Sequence, residues 1–161
     1  MSLHAALNVV LVEPLIPPNT GSIARLCAAT GTTLHLVKPL GFKVDDKHLK
    51  RAGLDYWPLV HIVYWENLAD FLANQDPSRL YFLSKKVSRP YTENRFRPGD
   101  FIVFGKETIG LPLELLNKYP DRCCTIPILN PSVRSLNLAM CAGIVLYEAL
   151  RQMADNPCDQ G

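Results

Sequence analysis

The sequence predicts an α/β fold: a mostly parallel sheet flanked by helices. Three observations carry that expectation. Short apolar, β-branched runs recur along the chain, helical segments alternate with them, and no repeat or composition break divides the 161 residues. A single domain over 1–161, with an ordered core of about 7–153, is expected, and 48% hydrophobic residues supply that core.

Leu7 to Val12 is a continuous apolar run, the pattern of a strand buried on both faces. Pro14, Pro17 and Pro18 predict a stiff loop, with Asn19 or Thr20 as N-cap of a helix that places Ile23, Leu26 and Cys27 on one face and ends at Gly31. Leu34 to Val37 is the next strand, which completes a βαβ unit. Asp45 and Asp46 predict a short helix to about Arg51, with acids first and bases last. Strands are then expected at Val60–Tyr64, Leu80–Leu83 and Phe101–Phe104, with a helix from Asn67 to Asn74. Residues 84–99 read as a polar loop, Leu113–Asn117 as a short helix, and Thr125–Ile128 as a last extended segment. The tail after Asp155 reads as frayed.

Leu136 to about Met153 is the longest predicted helix. Leu138, Cys141, Ala142, Val145 and Ala149 form one apolar stripe, and Met140, Ile144 and Tyr147 form another. A helix apolar on nearly all sides is buried on nearly all sides. One face can meet the sheet and the other a second subunit, so a homodimer through this helix is expected. A fully internal helix in a monomer is the alternative.

Lys+Arg 17 against Asp+Glu 15 gives a net charge of +2, too mild to announce a nucleic-acid binder by itself. Local clusters matter more: Lys43, Lys47, His48, Lys50 and Arg51 form one basic segment, and Lys85, Lys86, Arg89, Arg95 and Arg97 another. Cys27, Cys123, Cys124, Cys141 and Cys158 include no CxxC pair, and the histidines lie at no ligand spacing to them. Free thiols in a cytoplasmic protein, and no metal, are therefore expected. The longest apolar stretch, Leu138 to Tyr147, falls well short of the roughly 20 residues a membrane helix needs.

Three polar clusters stand where apolar segments end or helices begin, the place where α/β proteins build ligand sites. The first is Asn19 to Arg25, at a helix start suited to phosphate, with Gly21 and Arg25 four apart on one face, where the missing side chain of Gly21 is expected to leave room under the Arg25 guanidinium for a ribose or phosphate. The second is Phe104-Gly105-Lys106-Glu107-Thr108-Ile109-Gly110-Leu111, where the absent Cβ of Gly105 is expected to let a ligand approach the backbone. The third runs from Ile126-Pro127-Ile128 to Ser135-Leu136-Asn137-Leu138. Ser135 can cap the last helix, and Asn137 needs a hydrogen-bond partner if buried. The chain lacks G-x-G-x-x-G after its first strand, a P-loop and a G-x-S-x-G elbow. That disfavours a dinucleotide-dependent dehydrogenase, an NTPase and an α/β-hydrolase.

In this order the clusters resemble the SPOUT class of RNA methyltransferases, in particular the small TrmL (YibK)-type enzymes that 2′-O-methylate the wobble nucleotide of tRNA. The resemblance runs from about Leu7 to Gln152. It includes Ile16-Pro17-Pro18-Asn19-Thr20-Gly21, Arg25-Leu26-Cys27, Arg51-Ala52-Gly53-Leu54-Asp55-Tyr56, Phe104-Gly105, Glu107-Thr108, Gly110-Leu111-Pro112, Arg134-Ser135 and Asn137-Leu138. It implies a C-terminal deep trefoil knot, an exception to the no-threading rule. It also implies a homodimer, and S-adenosyl-L-methionine held by Leu83, Gly105, Gly110, Ile126 and Ser135, with S-adenosyl-L-homocysteine as product and no metal. The candidate catalytic residues are Arg25, Asn19 and Glu107. The resemblance implies that Arg25 helps to remove the hydroxyl proton; because a guanidinium rarely loses a proton, gripping a phosphate and ribose is the expected role instead, with Asn19 orienting the acceptor and Glu107 fixing Arg25 or Asn19. The basic segments, with aromatics such as Tyr91 or Trp57, are expected to hold the tRNA anticodon stem-loop. Ile109 stands where an arginine is common, Ala139 where a serine is common, and Trp57 where histidine is frequent. Methylation at another tRNA or rRNA site, or a non-catalytic RNA-binding module, are the alternatives.

Overall fold

The computed structural model describes residues 7–44 and 54–155. Its strands are β1 (Asn8–Val12), β2 (Thr33–Val37), β3 (Ile62–Trp65), β4 (Leu80–Leu83), β5 (Phe101–Phe104) and β6 (Cys123–Cys124). They form one sheet in the order β3-β2-β1-β5-β4-β6, and every pairing is parallel. The helices are α1 (Pro17–Thr30), α2 (Leu68–Ala73), α3 (Leu113–Lys118) and α4 (Leu138–Asp155). The predicted helix from Asp45, the basic residues Lys47 to Arg51, Cys158 and the tail after Asp155 lie outside the described residues.

Alternation along each central strand explains the two-layered core. On β1, Val9 and Leu11 join α1 and α4 on one face, while Val10 and Val12 join α2 and α3 on the other. On β4, Tyr81 and Leu83 take the first face, and Leu80 and Phe82 the second. From α1 come Ile23, Ala24 and Cys27, and from α4 Ala142, Val145, Leu146 and Ala149, all in the first layer. Phe71 of α2 and Leu115 and Leu116 of α3 fill the second. Each large side chain so buried contributes about 1.5–3 kcal/mol.

Several boundaries differ from the sequence expectation. α1 begins at Pro17, not after the prolines, and Ile16 occupies the N-cap position. Proline fits the first helical turn because its missing N–H has no intrahelical acceptor there. Asn19 thus sits inside the first turn and its side chain is released from capping. Gly31 ends the helix in the left-handed region, as expected. β3 starts two residues later than expected, because Val60 closes the preceding 3₁₀ turn by donating to the Trp57 carbonyl at 3.2 Å. The last strand is Cys123–Cys124 rather than Thr125–Ile128. Thr125 instead ties down the 84–99 loop, accepting from the Tyr91 amide at 2.9 Å and donating to the Arg89 carbonyl at 2.8 Å. Pro127 lacks the N–H that a continuing strand needs.

α4 buries one stripe and leaves the other open. Met140, Ile144 and Tyr147 remain 65%, 38% and 55% exposed in the single chain. Cys27, Cys123, Cys124 and Cys141 are free thiols. Burial pushes the Cys27 thiol up to about 12 and Cys124 to about 11, so neither is a nucleophile at neutral pH. No helix among the described residues is long and apolar enough to cross a membrane.

Under β2, His35 is a buried hub. Trp65 Nε1 donates to its Nδ1 at 3.0 Å, which leaves the proton on Nε2, 2.9 Å from Asn8 Oδ1. Burial, and then the charge of His61, lowers its pKa from 6.5 to about 4. Above pH 6.5 the ring is neutral in both folded and unfolded chains. Between 6.5 and 4 only the unfolded chain binds the proton, so stability falls as pH falls through that window. The expected loss is about 2 kcal/mol between pH 7 and pH 5. Urea unfolding at the two pH values measures it, and His35→Gln should remove most of the difference.

Candidate active site

One cavity of about 300 Å³ opens at the carboxyl ends of β1, β5 and β4. From β1 the chain goes on to β2 on one side, while β5 flanks β1 on the other. The crevice at such a reversal of strand order is where parallel α/β sheets bind ligands. Leu83, Gly105, Gly110, Ile126 and Ser135, the five positions expected to hold the methyl donor, all line it, together with Asn19 and Glu107. The three sequence clusters therefore meet.

A chain of side-chain hydrogen bonds joins them. Glu107 accepts from the amides of Leu15 and Ile16 at 2.9 and 3.1 Å, and from Asn19 Nδ2 at 3.4 Å. Asn19 Oδ1 accepts from Asn137 Nδ2 at 3.0 Å. Asn137 Oδ1 accepts from the amides of Ala139 at 2.8 Å and Met140 at 3.4 Å, which makes Asn137 the cap of α4. Ser135 was the expected cap; it lies exposed on the cavity wall instead. The line Glu107–Asn19–Asn137 thus pins the β5 loop to the start of α1 and the start of α1 to the start of α4. Asn19 keeps one N–H and one oxygen lone pair beyond these bonds. Those are the groups it can turn to a ligand.

The β5 loop is shaped by its glycines for a different reason than the sequence reading gave. A Cβ on Gly105 would lie 2.1 Å from the Gly110 carbonyl carbon and 2.3 Å from the Leu111 nitrogen. The glycine admits the chain's own returning backbone, not a ligand. Gly110 has φ +70°, where a side chain strains the backbone, and its amide donates to the Lys106 carbonyl at 3.0 Å. Gly21 is likewise buried against the protein, so it leaves no open room under Arg25.

Arg25 does not line the cavity. It is exposed, with its guanidinium 4.9 Å from the Tyr56 ring centroid. Six residues beyond Asn19 on α1, it stands about 9 Å farther along the axis and well off Asn19's face. Glu107 fixes Asn19, not Arg25. Tyr91 and Trp57 are half-buried against the core rather than exposed for stacking. Arg89 is also structural, donating to the carbonyls of Cys123 and Asp121 at 3.3 and 3.4 Å.

Sequence reasoning missed Ile16, Ser84, Lys85 and Lys86 as lining residues. The signal was present for the last three: they follow β4 at its carboxyl end as Gly105 follows β5. Among the described residues, no group of three His, Cys, Asp or Glu side chains could hold a metal ion.

The chain is 44% identical over 148 residues to the tRNA (cytidine(34)-2′-O)-methyltransferase of Escherichia coli strain K12, covering 91% of this chain and 94% of that protein. It is 49% identical over 147 residues to the enzyme of the same name from Saccharophagus degradans, covering 91% and 95%. A solved structure from work on the 2-OH methylation of C/U34 on tRNA superposes with a TM-score of 0.87 at 44% identity, covering 92% of this chain and 97% of that one. An AdoMet-bound rRNA methyltransferase from Sinorhizobium meliloti gives 0.80 at 26% identity, with 91% of this chain and 56% of that one covered. Residues 6–147 match the SpoU rRNA Methylase family, and the chain belongs to it.

Proposed function

We propose that this chain, acting as one methyltransferase domain, methylates the ribose 2′-hydroxyl of the wobble nucleotide, position 34, in the anticodon loop of tRNA. The observation that carries this reading is the single cavity in which all three clusters meet, locked by Glu107–Asn19–Asn137. The names of the full-length relatives give the substrate and the position.

The lining fits S-adenosyl-L-methionine. Leu83, Phe104, Ile126 and Leu138 offer apolar surface for an adenine ring, and the Gly105–Gly110 and Ser135 loops offer main-chain polar groups. The volume lies at the lower end of the roughly 300–1,000 Å³ range of small-molecule sites. When bound, this cofactor supplies a methyl group on a sulfonium and leaves as S-adenosyl-L-homocysteine. The chain's own task is alignment and water exclusion. Asn19 directs its remaining hydrogen-bonding groups at the acceptor hydroxyl, and Glu107 holds that amide in one orientation. Arg25, outside the cavity, grips a phosphate and ribose of the RNA. A guanidinium stays protonated in proteins, so Arg25 positions rather than abstracts, and the hydroxyl proton passes to an oxygen of the phosphate that Arg25 holds.

Two further features belong to the reading. Met140, Ile144 and Tyr147 form the contact of a homodimer through α4; a single-chain mass in light scattering at micromolar concentration would contradict this. The C-terminal part forms a trefoil knot. This is supported by β6 lying at the sheet edge while α4 returns to pack beside α1 over the sheet, and by Thr125 bridging to the 84–99 loop. Buried free thiols suit the reducing cytoplasm.

The test is incubation with labelled S-adenosyl-L-methionine and total tRNA lacking the mark, followed by digestion and mass mapping. Label on a ribose at position 34 is expected; label on a base, or at another site, contradicts the reading. In the same assay Arg25→Ala should lower single-turnover methylation at saturating RNA by about 100-fold, on the order of 2.7 kcal/mol. A near-wild-type rate removes Arg25 from the account.

A further inference from the structure

Three lysines line the cavity: Lys85 and Lys86 after β4, and Lys106 after β5. Their surroundings differ. Lys106 is engaged, with its ammonium 3.6 Å from Glu13. Lys86 directs its ammonium to the carbonyl oxygen of Ile109 at 3.4 Å. A neutral carbonyl positions a cation without cancelling its charge. Lys85 is exposed, and among the described residues it makes no hydrogen bond or ion pair. Among the described residues the only carboxylate lining the cavity, Glu107, is already committed to two amides and Asn19.

The two lysines are held on a fixed turn. Ser84 donates its amide to the Cys124 carbonyl at 2.9 Å, and its Oγ accepts from the Lys86 amide at 3.1 Å. Two positive charges are thus mounted beside the cavity with no negative partner among the described residues. The rest of that basic segment lies elsewhere: Arg89 braces carbonyls, and Arg95 and Arg97 line a separate cleft against the end of α4. What looked like one basic patch is divided, and only Lys85 and Lys86 belong to the active cavity.

We infer that Lys85 and Lys86 seat a phosphodiester of the RNA strand adjoining the target ribose, and so place the acceptor nucleotide at the cavity. This rests on the proposed function. Phosphate is favoured over the cofactor's carboxylate because Lys85 is open to solvent, where a polyanion can reach it, and because two uncompensated charges match a strand with charge on either side of one nucleotide. Ammonium groups suit phosphate as point charges.

The experiment compares steady-state methylation of tRNA, and binding of S-adenosyl-L-homocysteine by calorimetry, in the wild type, Lys85→Ala/Lys86→Ala and Lys85→Arg/Lys86→Arg. The alanine pair should raise KM for tRNA at least 10-fold, with kcat within threefold and cofactor-product affinity within twofold of wild type. Its log–log dependence of tRNA affinity on salt should be shallower by 1 to 2, as expected when about two phosphate contacts are lost. The arginine pair, which keeps the charge, should hold KM within threefold. Weakened S-adenosyl-L-homocysteine binding with an unchanged KM for tRNA assigns the lysines to the cofactor and overturns the inference, as does an unchanged KM and salt slope. A rise in KM as large in the arginine pair overturns it too. If the wild type transfers no methyl group to tRNA, the proposed function itself has failed, which is a separate outcome.

Discussion

Gly105→Ala is expected to weaken S-adenosyl-L-methionine binding at least 100-fold and to take methyl transfer below detection. The added carbon would sit 2.1 Å from one backbone atom and 2.3 Å from another, inside van der Waals contact by more than 1 Å. Backbone at Gly110 and Leu111 cannot swing aside as a flexible side chain can. The loop must open, and it carries Glu107 and one wall of the cavity. A 100-fold loss corresponds to about 2.7 kcal/mol, within what a misplaced loop and an overpacked contact can cost. The sheet beneath should persist, because the β1–β5 and β4–β5 pairings end at Phe104. Calorimetry with the cofactor, beside far-ultraviolet circular dichroism, checks both halves. Native-like affinity in a folded variant would show that the loop does not shape the donor site.

Glu107→Ala is the second large effect. The amides of Leu15 and Ile16 lose their acceptor, and the Asn19 amide loses its anchor. The Leu15 and Asn19 donors are part-buried and the Ile16 amide is exposed to water; a part-buried donor left unsatisfied costs about 1–3 kcal/mol, the lower end applying where water can enter. A melting point lower by several degrees is expected for a domain of this size, about 2–4 °C per kcal/mol. The larger consequence is functional: kcat/KM should fall about 100-fold, because the helix start that presents Asn19 is no longer fixed to the donor loop. Asn19→Ala should show a similar deficit. If the two residues act as one unit, the double variant loses little more than either single variant. Full additivity would break the claimed coupling.

How far the sequence carried the structure depends on the residues concerned. The strands at β1, β4 and β5 were legible because side chains on both faces are buried, so an unbroken apolar run records two layers at once. The clusters were legible as ligand-site candidates from their place at strand ends. Their mutual contact was not, because Asn19 and Asn137 are 118 residues apart and only the folded chain brings them together. Pro17 and Pro18 were misread through their loop preference, although the first helical turn tolerates both. The displacement of Arg25 from the cavity was available from helical geometry. At 3.6 residues per turn, Ile23 rather than Arg25 shares the face of Asn19. The reason for Gly105 was not available, since it lies in the returning backbone of Gly110. Ser84 to Lys86 were not legible as cavity lining because Lys85 and Lys86 read as one basic segment with Arg89, Arg95 and Arg97, and only the cavity separates them from Arg95 and Arg97.

The central claim is that this cavity delivers a methyl group to one ribose oxygen, at position 34. The most direct measurement uses an anticodon stem-loop synthesised twice, once all-ribose and once with a single 2′-deoxy nucleotide at that position. Both are incubated with the chain and labelled S-adenosyl-L-methionine. Incorporation into the all-ribose strand and none into the deoxy strand is predicted. Equal incorporation into both strands would contradict it, because the acceptor would then be some other atom.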